Sequence, residues 1–318
     1  RIDDANDVVN PATGKTGGVI HGNAPCLGSE WGRQYMDKLY NWYKATGMNL
    51  LEHDGSYPGH ICASETHPGH RGTEDSQWNQ WRIITDFYKW CLAQGIYLNI
   101  PDWYYLNGGT KCGMGYREVN WSLPREQQLI HTRQNIYDGT REKTPSMGWM
   151  FVPLTEYHGG GAAATIEPLK DHLSHYGSML AANLGSGVQA CYRGPRLYDT
   201  DSTKAVVKHW VDFYKRHRDI LESDVVHSAS RRADGRDLDW LFHANPGLKE
   251  KGCMLIFNPT GQTIRKTIRV NVYYTGLKDQ ALVRVDEDVP QKLKVSRDYF
   301  VEIEIAVEPN STRFITFE

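Results

Sequence analysis

Apolar positions recur along this chain at two different periods, and the change from one to the other divides it. Trp31 to Thr46 carries Tyr35, Leu39, Trp42 and Tyr43 at close to a helical interval, which predicts an amphipathic helix. Thr73 to Gln94 does the same with Trp78, Trp81, Ile84, Phe87, Tyr88 and Cys91, and stops at Gly95. Short apolar runs bounded by turn residues read as strands at 17–23, 49–54, 96–102, 114–121, 147–154 and 188–192. Further helices are predicted from Pro124, a favourable first helical residue, to Tyr137, then over 169–184 and 203–221. Strand and helix thus alternate over roughly 210 residues at about 35 per unit, the rhythm of parallel strands joined by crossover helices. A closed eight-stranded barrel takes roughly 250 residues. The polar residues before Gly17, with turns at Asn10-Pro11 and Thr13-Gly14, read as a loop that cannot supply two more strands and helices.

From Val225 the helical period disappears. Strand-like runs at 240–244, 254–257, 263–274, 281–285, 299–307 and 311–317 alternate with turn residues. Thr267, Arg269 and Asn271 interleave with Ile268, Val270 and Val272, so one face is wet and one dry. This predicts two domains: a β/α domain over 1–224 and an antiparallel β-sandwich over 225–318 that braces it. Within the sandwich, the acidic run from Asp234 to Asp239 lacks the complete hard-oxygen spacing of a calcium loop and reads as a turn.

The net charge of -2 gives no electrostatic footprint for nucleic acid or an anionic membrane. No run of eighteen apolar residues exists to span a bilayer. The informative excess is aromatic: 10 Trp and 18 Tyr beside 8 Phe, amphipathic rings that suit either stacking on sugar faces or a Trp-rich core. The six cysteines are scattered, and no Cys-x-x-Cys or Cys/His spacing points to zinc. Neither a metal nor another cofactor is expected. His60, His67 and His70 fall in a Gly/Pro-rich stretch and read as a solvated loop. A Cys62–Cys112 bridge would require an oxidising compartment. The opening Arg-Ile-Asp-Asp, with no Met and no signal peptide, reads as a mature or internal fragment, with a periplasmic or secreted location expected.

The candidate chemistry gathers around Asn49-Leu50-Leu51-Glu52-His53-Asp54-Gly55-Ser56-Tyr57-Pro58-Gly59, an apolar run that delivers a carboxylate just where the chain must turn. Asp54 reads as the nucleophile of a sugar-cleaving enzyme; an Asp-Gly turn is the other reading of the same residues. The stretch Ala45–Tyr57 resembles the strand that carries the nucleophilic Asp in retaining α-galactosidases and their bacterial relatives, and Asp102-Trp103 resembles the sugar-contacting acidic-Trp pair on their next strand. The late segment 179–189, with its Ala-Ala pair, also resembles that family. The resemblance implies a (β/α)8 TIM-type barrel followed by a β-sandwich, with this chain carrying strands three to eight. The first two strands would then come from another segment or chain. It further implies an oligosaccharide or polysaccharide substrate.

Retaining hydrolysis needs two carboxyl groups about 5–5.5 Å apart across the anomeric carbon. Opposite Asp54, Glu118 is the first candidate acid/base, with Trp121 nearby to raise its pKa; a Glu paired with a neighbouring Arg is the competing reading. Glu156, beside a Gly-rich loop, is the reserve. Asp102 and Trp103 are assigned to the sugar subsite, while His53 and Tyr57 are close enough in sequence to support the nucleophile. Arg193 suits an anionic substituent or a structural ion pair. Two departures from the family stand out: Glu52 where a sugar-contacting Lys is usual, and Arg117-Glu118-Val119-Asn120-Trp121 where the family has Arg-x-x-x-Asp. They leave room for a modified galactoside, or for a carbohydrate-binding protein without catalysis.

Overall fold

In the computed structural model, which describes residues 4–18, 24–53, 59–100, 114–118, 123–140, 148–156 and 161–318, the first helix is α1 (Glu30–Thr46). It begins where Ser29 accepts a hydrogen bond from the Gly32 amide and ends where Gly47 turns to φ 66°, a left-handed conformation that a Cβ would disfavour. The chain then runs through β1 (Leu50–Glu52), α2 (Ser76–Ala93) and β2 (Tyr97–Ile100) to β3 (Met114–Glu118). Contacts divide it into two units, Arg1–Tyr116 and Arg117–Glu318.

In the first unit β1 and β2 are parallel, with Leu50 opposite Tyr97 and Glu52 opposite Asn99, and β3 joins β2 in parallel at Asn99–Met114. Met36 and Tyr43 of α1 meet Ile84, Phe87, Tyr88 and Cys91 of α2 and, beneath them, Ile96 and Leu98. Those four α2 residues share one helix face, as the spacing predicts. The N-terminal segment holds isolated antiparallel bridges at Asp7–Pro25 and Val9–Thr16. Of the expected first strand, residues 19–23 lie outside the described residues.

The second unit continues with α3 (Arg125–Gly139), β4 (Gly148–Pro153), α4 (Gly161–Ala164), α5 (Leu173–Leu184), β5 (Gln189–Arg193) and α6 (Asp201–Leu221). Strands β4 and β5 are parallel, from Trp149–Gln189 to Pro153–Arg193. Next come β6 (Asp224–Val225), β7 (Asp239–Ala244), β8 (Gly252–Phe257), β9 (Ile264–Asn271), β10 (Gln280–Val285), β11 (Gln291–Lys294), β12 (Phe300–Val307) and β13 (Thr312–Phe317). They form a six-stranded sheet in the order β11-β10-β13-β8-β7-β6, and β12 pairs with β9 over eight residues; all these pairings are antiparallel. One core joins the two sheets, and it includes Phe242, Met254, Ile256, Ile268, Val270, Val301 and Phe317.

Strands β8 and β9 show why this sheet reads unevenly. Ile268 and Val270 of β9 are buried while Thr267 and Arg269 are exposed, the expected alternation. Every residue of β8 is buried. Met254 and Ile256 face the sandwich core, whereas Cys253, Leu255 and Phe257 face Ala181, Ala182, Ile220 and Leu221 of α5 and α6. The same boundary is pinned by Arg133 of α3, whose guanidinium grips Asp239 of β7 at 2.6 and 2.9 Å with both side chains buried. Burial pushes the Asp239 carboxyl up in pKa, and the guanidinium beside it pulls the other way. Arg133 also lies over the Phe257 ring. Asp234 accepts from the Arg236 and Asp237 amides, and Asp237 binds Lys266, so the acidic run is a turn held by partners within the protein.

Candidate functional site

In the sequence, the candidate residues end or closely follow the strands. Asp54 follows the end of β1 by two residues, Asp102 follows β2 by two, and Glu118 is the last residue of β3. Glu156 follows β4 by three, and Arg193 ends β5. In parallel β/α architectures this carboxyl-terminal edge is where sites are built, because successive strand ends converge there while helices cover the faces.

The end of β1 is held against the helices. Leu51 packs towards the core of α1 and α2, and the His53 Nδ1 meets the buried Tyr88 hydroxyl at 2.7 Å. Alternate residues 51 and 53 therefore face the helix layer, while Leu50 remains 46% exposed. Helix α2 also holds the chain at 59–62. Gln77 donates to the Gly59 carbonyl at 3.1 Å, Gln80 to the His60 carbonyl at 2.8 Å, and Ser76 accepts from the Cys62 amide at 3.0 Å.

Asp54, Tyr57, Asp102, Trp103 and Trp121 lie outside the described residues, as do the side chains of Glu52 and Glu118. Glu156 is exposed, and Arg193 is exposed at the end of its strand and has a partner. Register sets Arg193 opposite Pro153, three residues before Glu156, and the Leu154 amide donates to the Arg193 carbonyl at 2.7 Å.

A second grouping was not expected from the sequence. His60, His67 and His70 are only 9%, 6% and 6% exposed, so the solvated-loop reading is corrected. Cys26, Cys62, His67 and His70 present Sγ, Sγ and ring nitrogens that all lie within 4.8 Å of one another. Cys26 Sγ is 3.2 Å from His70 Nε2, Cys62 Sγ 3.6 Å from His67 Nδ1, and the two ring nitrogens are 3.3 Å apart. Both cysteines are fully buried free thiols, and Cys112, which a bridge to Cys62 in an oxidising compartment would need, lies outside the described residues. A hydrogen bond with Cys26 holds the Cys62 thiol well below its ordinary pKa, and the same bond and burial push Cys26 up. The local signal was Cys62-x4-His67-x2-His70. The fourth member, Cys26, lies 36 residues before Cys62, too far for a spacing rule to reach.

No family model matches this chain, and no curated protein matches it either. Solved structures do. A GH36 α-galactosidase from Geobacillus stearothermophilus matches with a TM-score of 0.64 at 8% identity, over 99% of this chain and 41% of its own. An α-galactosidase from Lactobacillus brevis gives 0.62 at 10% identity, over 99% and 41%. A GH27 β-L-arabinopyranosidase from Geobacillus stearothermophilus gives 0.57 at 14% identity, over 99% and 68%. The chain therefore has an α-galactosidase-like glycoside hydrolase fold. It spans less than half the length of the two α-galactosidases.

Proposed function

We propose that this chain is a retaining glycoside hydrolase acting on an α-galactoside, or a modified galactoside, within an oligosaccharide or polysaccharide. The observation that supports the reading is the parallel pairing of β1, β2 and β3, and of β4 and β5, each followed or ended in the sequence by a candidate polar residue, in a fold shared with α-galactosidases. Asp54 is the nucleophile. Its position in the sequence, two residues after β1, is where a β/α barrel strand delivers a catalytic carboxylate. His53, tied to Tyr88, anchors the peptide that carries the nucleophile and takes no part in the chemistry.

Glu118 protonates the leaving oxygen and then activates water, with Glu156 as the reserve for that role. Asp102 and Trp103 bind the sugar, Tyr57 and Trp121 flank it, and Glu52 in place of a basic residue favours a substrate with altered hydroxyl contacts. Arg193 serves an anionic substituent.

The test is turnover of a chromogenic α-galactoside by wild type and Asp54→Asn. The expected loss is roughly four powers of ten, about 5.5 kcal/mol of barrier. Equal rates in both proteins would remove Asp54 from the mechanism, and release of the inverted anomer, read by NMR, would reject a retaining route. The missing Arg-x-x-x-Asp favours one other reading, a carbohydrate-binding protein without catalysis. Saturable binding with no turnover in either protein would select it.

A further inference from the structure

We propose that Cys26, Cys62, His67 and His70 hold a zinc ion in a closed, four-coordinate site that ties the N-terminal segment to the loop following β1. The inference is independent of the glycosidase reading and rests on the geometry of the four donors.

Zinc bonds of about 2.3 Å to sulfur and about 2.05 Å to nitrogen, at tetrahedral angles, put the donors roughly 3.3–3.8 Å apart. Three of the six edges match, at 3.3 Å between the nitrogens and 3.2 and 3.6 Å between sulfur and nitrogen. All six lie within 4.8 Å, so a small inward shift of the donors closes them around one ion.

The proton inventory favours an ion as well. His67 Nε2 lies 3.0 Å from the Ala5 carbonyl, which only accepts, so that nitrogen carries the proton and Nδ1 presents a lone pair to the cluster. A carbonyl fixing the far nitrogen of a ligating imidazole is the usual support for a metal-binding histidine. Two thiolates would neutralise a divalent ion, so the buried site carries no net charge. Their two protons leave to solvent on binding.

The surroundings are built for the cluster. Gly28 lies against the His70 ring, where a Cβ would come within 2.4 Å of a ring carbon, and the Gly69 amide donates to the Gly28 carbonyl at 2.8 Å. The Val9 amide points at Cys62 Sγ from 3.4 Å, and the Cys26 amide donates to the Asn6 carbonyl at 2.9 Å. Among the described residues, only Val8, with Val9 packed against it, forms an apolar core with the cysteines. Segments with so little regular structure need another staple, and four ligands from two distant stretches of chain supply it. The fully buried thiols are unsuited to nucleophilic chemistry, which needs access. Four protein donors leave no open position, so the ion's role is structural.

The deciding measurement uses the full wild-type chain, purified without chelator from zinc-replete medium and analysed by mass spectrometry of its metals. About one zinc per chain is expected. Alkylation should leave Cys26 and Cys62 unmodified until a strong chelator is added, and chelation should lower Tm by roughly 10 °C. Cobalt in place of zinc should give the visible absorption of a tetrahedral thiolate-bound ion. Cys26→Ser and His70→Gln should each reduce bound zinc at least tenfold, while Cys191→Ser keeps it. Zinc below a tenth of an equivalent after zinc is supplied would overturn the proposal, even if the ligand variants fail to fold. So would iron in its place, a Cys26–Cys62 disulfide, or undiminished zinc in a folded Cys26→Ser.

Discussion

The two units bury their chains by different means. In the second, apolar side chains suffice: the sandwich core, the strand-and-helix core around Met150, Val152 and Tyr176, and the seam between α5, α6 and β8 each bring together several fully buried residues. At about 1.5–3 kcal/mol for each buried large side chain, such clusters offset the ordering of their segments with little help from polar groups. Among its described residues the first unit has one such core, between α1, α2 and the strands, and beyond it a region with little regular structure, where buried cysteines, histidines and side-chain-to-backbone bonds do the fixing. The difference shows which part of a chain can be read from apolar periodicity. It also shows which part depends on a few polar groups meeting from distant positions.

The comparison is broken most severely by cutting it. A chain ending at residue 223 would bare the surfaces of α5 and α6 that Cys253, Leu255, Phe257 and Phe314 cover. It should precipitate or expose apolar dye-binding surface, and a soluble, monomeric product would show that the sandwich is dispensable. A gentler cut is Arg133→Met, which strands the Asp239 carboxylate in an apolar setting. Breaking one side of a buried pair costs about 3–5 kcal/mol, read as a fall in the urea midpoint. The double variant Arg133→Met, Asp239→Leu should recover most of that loss. A single variant as stable as wild type would mean that the pair does not bridge α3 and β7 in solution.

Most of the fold was legible. Periodicity located α1 within a residue of its observed start, and the helix expected over 203–221 is α6 beginning two residues earlier. The change to an all-β pattern near 225 coincides with β6 and β7. What escaped did so for physical reasons. Strand β11, Gln291-Lys292-Leu293-Lys294, is a polar edge strand with almost nothing buried, so it carries no alternation to detect. The run expected to 274 stops at Asn271 because Tyr273–Thr275 coil into a short helical turn. Cys26 and His70 come together through tertiary folding alone, with no periodic trace in the sequence. For the candidate site, the sequence marks strand ends with acidic residues but contains nothing that measures the separation of two carboxyl groups.

Acid should also separate the two units. His243 in β7 is fully buried, which drops its pKa to about 4, and burial does the same to His175 on α5. Both are depressed below the ordinary 6.5, so the folded state binds fewer protons than the unfolded one between those values. Their contribution is therefore complete above pH 6.5 and is lost as the pH falls towards 4, by on the order of 3 kcal/mol for His243. Asp239, whose carboxyl is shifted up, works in the opposite sense and offsets part of this. A His243→Leu variant should flatten the decline in stability between pH 7 and 4. An unchanged slope would place the acid sensitivity elsewhere.

The smallest expected effect tests the first unit's dependence on single polar contacts. Ser29 is 1% exposed; its hydroxyl accepts from the Gly32 amide at 3.2 Å and donates to the Cys26 carbonyl at 2.7 Å. It therefore starts α1 and fixes the peptide that carries one of the clustered thiols. Ser29→Ala removes both bonds and should cost about 1 kcal/mol, the usual worth of a helix N-cap. Amides in the first turns of α1 should then exchange with solvent about five times faster. Those of β8 in the second unit, enclosed by apolar side chains on both faces, should be unaffected. Equal acceleration at both places would mean that the two regions open together, and that polar pinning in the first unit is not the local device its hydrogen bonds describe.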